Sequence, residues 1–504
     1  MRRTTFGPTK DQIEAAASAG LEATVDLLLA ENSPTLPEPI NYRYEDDPNV
    51  PIGISWVNAD FTSGKDYQRR RSYNAWEVGN MINHTHSINA KITLFWFNHF
   101  VTESVAVSDA RAFYKYTQIF RQKGLGNFRD LVEHVTVSMA MLIYLNGNVN
   151  KSTAPNENFA RELLELFTIG KGDLIEAGNY TNYTESDIVE AAKILTGFTT
   201  TKKPKDKVGY VSSRHDKSSK QFSSVFENVI IDNQEEVEYE ALIGMLLKQN
   251  ETARFITRKL YRWFLYYDIT PDIEENIIEP LADIFYSNGY ELKPLLTTFF
   301  CSQHFNDQYF WGNQIKSPVD FNIGLIRQLK LKFPDTKNFH DLYALWYKIY
   351  QDLVKQQQDI SNPPDVSGWK AYYKEPLYYR TWINSVTLPI RQSFIIQLLN
   401  ERITSNGVPI LFDPFAIVDN LAAPEDPNKL ISELGSLFYQ LPLNQEENNE
   451  LKGVLIPGLP DFEWNVEYGA YKVNPSDQQV KMSVKKKLID LFAAMLNRAE
   501  YHLY

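Results

Sequence analysis

Pro155-Asn156-Glu157-Asn158-Phe159-Ala160-Arg161-Glu162-Leu163-Leu164-Glu165-Leu166-Phe167 passes from asparagine-rich punctuation directly into helical spacing. At about 100° per residue, Asn158, Arg161, Glu162 and Glu165 fall on one face, and Phe159, Ala160, Leu163, Leu166 and Phe167 on the other. So sharp a division predicts an amphipathic helix on a helical core. The polar face has two readings. As a solvated face, it holds Arg161 and Glu165 as an i,i+4 pair contributing about 0.2–0.5 kcal/mol. As the wall of a cleft, it offers two carboxylates three residues apart that could share a divalent metal, as in helix-bundle metal sites, and an arginine for an anionic group.

Downstream, Thr184-Glu185-Ser186-Asp187 starts another helix, with Thr184 as N-cap and Asp187 three positions later. Between Thr199 and Asn233, Lys, Pro, Gly and Ser accumulate, and the short alternating runs Val208 to Ser212 and Gln221 to Ile231 predict a small hairpin or lid. Within it, Arg214-His215-Asp216-Lys217-Ser218-Ser219-Lys220 carries a His-Asp pair able to ligate a metal or act as acid and base. The competing reading is an exposed charged turn. A phosphohydrolase built on a helical His-Asp motif is not expected, because this pair sits among Ser, Lys and Pro.

Upstream, Thr9 to Glu31, Lys65 to Phe100 and Val107 to Leu145 carry helical patterns, with a proline-rich surface crossing from Ser33 to Pro51. His99 lies in the aromatic run Leu94 to Phe100, where a hydrogen-bonded core histidine is the commoner outcome than a ligand. From Glu238 to Leu353 helix follows helix, including the very aromatic Leu260-Tyr261-Arg262-Trp263-Phe264. An irregular loop, Gln357 to Tyr379, then carries Pro363-Pro364-Asp365-Val366-Ser367-Gly368-Trp369, turn chemistry before an aromatic plate that floors a pocket or anchors a loop. Val480 to Glu500 is a final helix.

Length alone allows roughly two to four domains, yet no repeat and no sharp linker divides the 504 residues. The expected fold is mainly α: one large multi-helix domain over 1–504, with a small β-hairpin or irregular insertions near 199–236 and 357–381. A hydrophobic content of 43%, with 29 Tyr, 29 Phe and 9 Trp, supplies a substantial core. The net charge of −12 argues against a nucleic-acid partner, since that binding needs clustered Lys and Arg. A single cysteine, Cys301, excludes an internal disulfide and a multi-cysteine metal site. No window approaches about 18 uninterrupted apolar residues, so no membrane span is expected. No signal peptide is visible in Met1 to Lys10; the default expectation is cytoplasmic, or exported if the start is incomplete. Phosphate-cradling glycine loops, dinucleotide fingerprints, nucleophile elbows and His-Glu-x-x-His pairs are missing from the sequence.

Arg2-Arg3-Thr4-Thr5-Phe6-Gly7, Leu94 to Phe100, Leu125-Gly126-Asn127-Phe128-Arg129, Asn156 to Gly170, Tyr183 to Gly197, His215 to Lys220, Ile315-Lys316-Ser317-Pro318 and Pro363 to Trp369 together, in this order, resemble the landmarks of the bacterial domain of unknown function 1800 family. The resemblance implies a bacterial protein with no assigned reaction. It also implies a partner of the domain of unknown function 1501 family, which resembles sulfatases and alkaline phosphatases. Members of the resembled family commonly carry His at the position of Phe97 and of Lys123 or Gly124, and Asp-Pro at Ser138-Met139. A metal site built there is not expected in this chain, whereas one using Glu162, Glu165 and His215 is less affected.

Two functions follow. One is a polar-cleft enzyme, a metal-assisted hydrolase, with Asn158, Arg161, Glu162, Glu165, His99, His215 and Asp216 as its chemical groups and Glu162, Glu165 and His215 holding the metal. The other is a non-catalytic binding or assembly partner, whose charged face is an ion-pair network. They differ in one requirement: the enzyme needs His215 or Asp216 to close over the Glu162 and Glu165 face.

Overall fold

The helical pattern from Lys65 to Phe100 folds as two helices, Asp66–Asn83 and Asn89–His99. That from Val107 to Leu145 folds chiefly as Ala110–Lys123, Phe128–Thr136 and Met139–Tyr144. The structure, a computed structural model, describes residues 1–30, 36–84, 87–203 and 206–504. Helix accounts for 58% of it. The strands of the described residues form four separate two-stranded antiparallel sheets, none with a strand longer than four residues. The fold is mainly α, as the spacing predicts. Among the described residues no helix is long and apolar enough to cross a membrane.

Local chemistry accounts for many helix boundaries. Thr184 and Asp187 exchange side-chain and backbone bonds as a capping box at the start of Glu185–Ile194. Asn127 caps Phe128–Thr136, and Asn156 caps Glu157–Glu162, each accepting from a backbone N–H two residues on. The aromatic-rich faces then join one buried cluster that includes Phe6, Trp96, Phe159, Trp263, Trp369 and Phe492.

One expectation changes and one is made specific. Of the proline-rich stretch, residues 33–35 lie outside the described residues, but beyond Leu36 the chain is not merely a surface crossing: Tyr42 and Val50 are fully buried. The Asn41 amide makes this feasible by donating to Tyr44 O and Val50 O, meeting the demand of buried backbone for partners. In the 199–236 insertion, the expected small hairpin takes the form of two separate short strand pairs. Lys207–Tyr210 turns back onto Phe198–Thr201, and Lys220–Gln221 pairs with Ile230–Ile231. The partner choice follows packing: Tyr210 lies opposite Phe198, with ring centroids 5.5 Å apart, and Phe198 is buried there.

Trp263, near the end of the Asn250–Phe264 helix, positions the candidate site. Its ring meets Phe95 of the Asn89–His99 helix at 5.5 Å and Tyr372 of the 357–381 loop at 4.3 Å. Three segments distant in sequence thus converge on one side chain.

Candidate active site

The amphipathic helix carrying Asn158, Arg161, Glu162 and Glu165 begins as Glu157–Glu162 and continues as a π-helical turn, Leu163–Thr168. Phe159, Leu163 and Phe167 are buried as the spacing predicts. Leu166, expected in the core, is only half-buried, and Leu164 takes an inside position. The wider i→i+5 winding rotates the face after Glu162, which a uniform 100° step cannot anticipate. The chain leaves this turn at Gly170, with φ at +75° and the position of a Cβ only 2.7 Å from the Phe255 ring. A side chain there would collide with the neighbouring helix.

The polar face does not act as one unit. Asn158 is exposed. Arg161 does not select Glu165; it grips Glu185 with two bonds of 2.8 and 2.6 Å and lies 3.9 Å from Glu157. The Arg161 bonds hold the Glu185 carboxyl below its ordinary range. This clamp ties the helix to the next one. Glu162 is half-buried, with no hydrogen bond or ion pair among the described residues. Burial, and then the neighbouring Glu165, raise its pKa. Glu165 accepts from Tyr183 Oη at 2.8 Å and lies 3.2 Å from Lys171 Nζ.

His215 and Asp216 belong to another network. The buried His215 ring places Nε2 2.8 Å from Glu238 and Nδ1 3.0 Å from Thr196 O. Lys220 Nζ binds the other Glu238 oxygen at 2.7 Å, with all three side chains closed to solvent. Burial opposes charge on the ring, but the Glu238 and Thr196 bonds outweigh it and raise its pKa. Asp216 turns its carboxylate to Ser218 N and Oγ, which stabilises the local turn. No hydrogen bond or ion pair among the described residues joins His215 or Asp216 to Glu162 or Glu165. The expected metal set of Glu162, Glu165 and His215 is therefore not brought together, because His215 is committed to Glu238. Among the described residues no group of three or more His, Cys, Asp or Glu converges as a metal centre would need.

What does converge is a cavity of about 300 Å³ bordered by His99, Glu165, Leu166, Lys259, Arg262 and Trp263. Glu165 and Leu166 of the π-helical turn line it, and two main-chain carbonyls of that turn accept from side chains of other helices. Phe167 O accepts from His99 Nε2 at 3.0 Å, and Leu166 O accepts from Lys259 Nζ at 3.0 Å. Because a carbonyl can only accept, Nε2 carries the imidazole hydrogen and Nδ1 carries a lone pair. Lys259 Nζ lies 3.1 Å from that Nδ1 and 4.6 Å above the Phe255 ring. Burial, then the Lys259 charge, drive the His99 pKa well down, so the ring is neutral. Burial, then Arg262, lower the Lys259 pKa to about 7.

The remaining charges are unevenly satisfied. Arg258, on the same wall, is neutralised by Glu251 and Glu274. Arg262 donates through Nε to Tyr267 O at 3.2 Å, and its terminal nitrogens make no hydrogen bond or ion pair among the described residues. The buried Trp263 indole N–H has no partner either. Arg262 thus keeps donor capacity for an acceptor-rich ligand.

Pro363 to Trp369 both anchors and lines. Trp369 N donates to Asn98 Oδ1 at 2.8 Å, while Val366 and Ser367 border the cavity. Gly368, at φ +86°, passes so close that a Cβ would lie 2.3 Å from Asn98 Oδ1. Of the sequence-derived candidates, His99 and Glu165 reach this cavity. Lys259, Arg262 and Lys171 were not singled out by sequence. The available signal was the spacing of Arg254, Arg258 and Arg262 every four residues with Lys259 beside it, a basic stripe along an aromatic helix.

No curated protein and no solved structure matches this chain. One family model does, described as protein of unknown function (DUF1800), and since it matches residues 1–501 of 504, the chain belongs to that family.

Proposed function

We propose that the chain is an enzyme acting on a small anionic molecule in the cavity beside His99, with the Lys259 amine as its reactive group. The observation that carries this reading is the seat of Lys259 Nζ between His99 Nδ1 and Leu166 O at the cavity wall. A neutral amine has two N–H bonds, which these two acceptors use, and one lone pair, which they leave free. The terminal nitrogens of Arg262 provide recognition, and Glu165 with Lys171 forms a polar rim. The metal-assisted version is replaced, since His215 serves Glu238. For Arg161, His215 and Asp216 we read structural roles, joining helices and the insertion. The reading takes 1–504 as one helical domain, supported by a single buried cluster running from Phe6 to Tyr501.

Competitive acylation with acetic anhydride across pH, read by mass spectrometry, tests the amine. Lys259 in the folded chain should gain reactivity through about pH 7, while the same residue in denaturant should do so near the ordinary lysine value of about 10.4. Identical folded and denatured profiles would sink the reading.

A further inference from the structure

We infer that the ligand class of this cavity is the oxo acid, an aldehyde or ketone bearing a carboxylate, which Lys259 captures as an imine. The inference rests on the reading of the cavity as a reactive-amine site and adds what that amine reacts with.

The geometry leaves a neutral Lys259 amine free to act as a nucleophile. Both groups that contact Lys259 Nζ by hydrogen bond, His99 Nδ1 and Leu166 O, are acceptors. Each takes one N–H of the neutral amine and neither occupies its lone pair, while burial is what disfavours the ammonium form. His99 is held in this tautomer by Phe167 O, which makes it a positioning residue for the amine. A lysine so depressed in pKa is largely unprotonated just above neutrality, the condition for attack on a carbonyl. Capture also suits the bonding afterwards. An imine nitrogen, once protonated, has a single N–H, and either neighbouring acceptor can take it.

The carboxylate requirement comes from Arg262. Arg262 is close enough to Lys259 to depress it electrostatically, and its terminal nitrogens have no bond to any described residue. A guanidinium with free terminal N–H groups matches a carboxylate better than any neutral group.

The step balances without a cofactor. The Lys259 lone pair forms the C–N bond as the carbonyl π pair moves to oxygen. One amine proton and one proton from the medium convert that oxygen to water. Water leaves as nitrogen closes the C=N bond, giving the protonated imine. Nothing is oxidised or reduced.

Borohydride trapping tests the inference on the full chain. Pyruvate, glyoxylate and uncharged propanal are each incubated with the protein, reduced, and the modified lysine is mapped by mass spectrometry. The expected result is a reduced adduct concentrated on Lys259 with the two oxo acids. Arg262→Met should lower the ratio of oxo-acid to propanal labelling on Lys259 by about tenfold or more, as loss of a charge-assisted bond implies; the ratio cancels the change in amine basicity that follows from removing a charge beside Lys259. Wild-type mapping needs no variant to fold. Labelling spread over surface lysines, or no Lys259 adduct with either oxo acid, would overturn the imine. If the acylation profile still reports a Lys259 amine titrating near neutrality, only the oxo-acid inference fails. If that profile is ordinary as well, the active-site reading fails with it.

Discussion

Lys259 Nζ lies 3.1 Å from His99 Nδ1, and the two residues are 160 positions apart in the chain. The contact joins a lysine held near neutrality to a histidine held neutral, a pairing that arises because both side chains are desolvated around the same π-helical carbonyls. Its cost should be visible in stability. The folded pKa of Lys259, about 7, lies below the unfolded value of about 10.4. The unfolded chain therefore binds more protons between these values, and stability rises with pH across that window. Below about pH 7 the burial penalty on the charged amine is fully present. Lys316, lowered to about 7 mainly by burial, acts in the same direction. We expect Lys259→Met to raise the melting temperature more at pH 6 than at pH 10. An equal effect at both values would contradict the depressed amine.

Glu238 should be a strong stability determinant with the opposite pH trend for its partner. Glu238→Gln leaves His215 and Lys220 without their shared buried counter-charge, and breaking a buried pair costs about 3–5 kcal/mol. The His215 contribution, with its folded pKa raised, is fully present below the unfolded value of about 6.5 and fades as pH rises through the folded one. Urea denaturation of wild type and variant at several pH values measures both effects. A variant within about 0.5 kcal/mol of wild type would show that the network does not hold the insertion.

The π-helical turn makes a contrast between two leucines. Leu163, 1% exposed, should lose about 2–5 kcal/mol when cut to Ala. Leu166, half-buried, should lose clearly less. Equal losses would instead restore the uniform helical register.

Gly368 tests the loop that closes the cavity. Gly368→Ala places a methyl against Asn98 Oδ1 at a backbone angle unfavourable to other residues, with an expected cost of about 1–3 kcal/mol. Hydrogen exchange at the Trp369 amide should accelerate as its bond to Asn98 is lost. Unchanged exchange would separate this glycine from loop docking.

Sequence by itself determined what depends on neighbours along the chain. The helix-rich class, the Thr184–Asp187 capping box, and the inward placement of Phe159, Leu163 and Phe167 follow from backbone hydrogen bonding and a near-constant turn angle. Of the proposed chemical groups, it named His99 and Glu165, which reach the cavity, together with Asn158, Arg161, Glu162, His215 and Asp216. Tertiary structure alone decided their company. Spacing permitted Arg161 to pair with Glu165, but packing of the next helix presented Glu185. His215 and Glu165 looked like partners in one site, yet Glu238 claimed the first, and Tyr183 and Lys171 the second. The basic stripe on its helix did not mark Lys259 as reactive, because a lysine in a helix is ordinarily a solvated charge. Its altered chemistry comes from desolvation and from two acceptors delivered by distant segments, and burial and charge proximity are properties of the folded volume that no local pattern encodes.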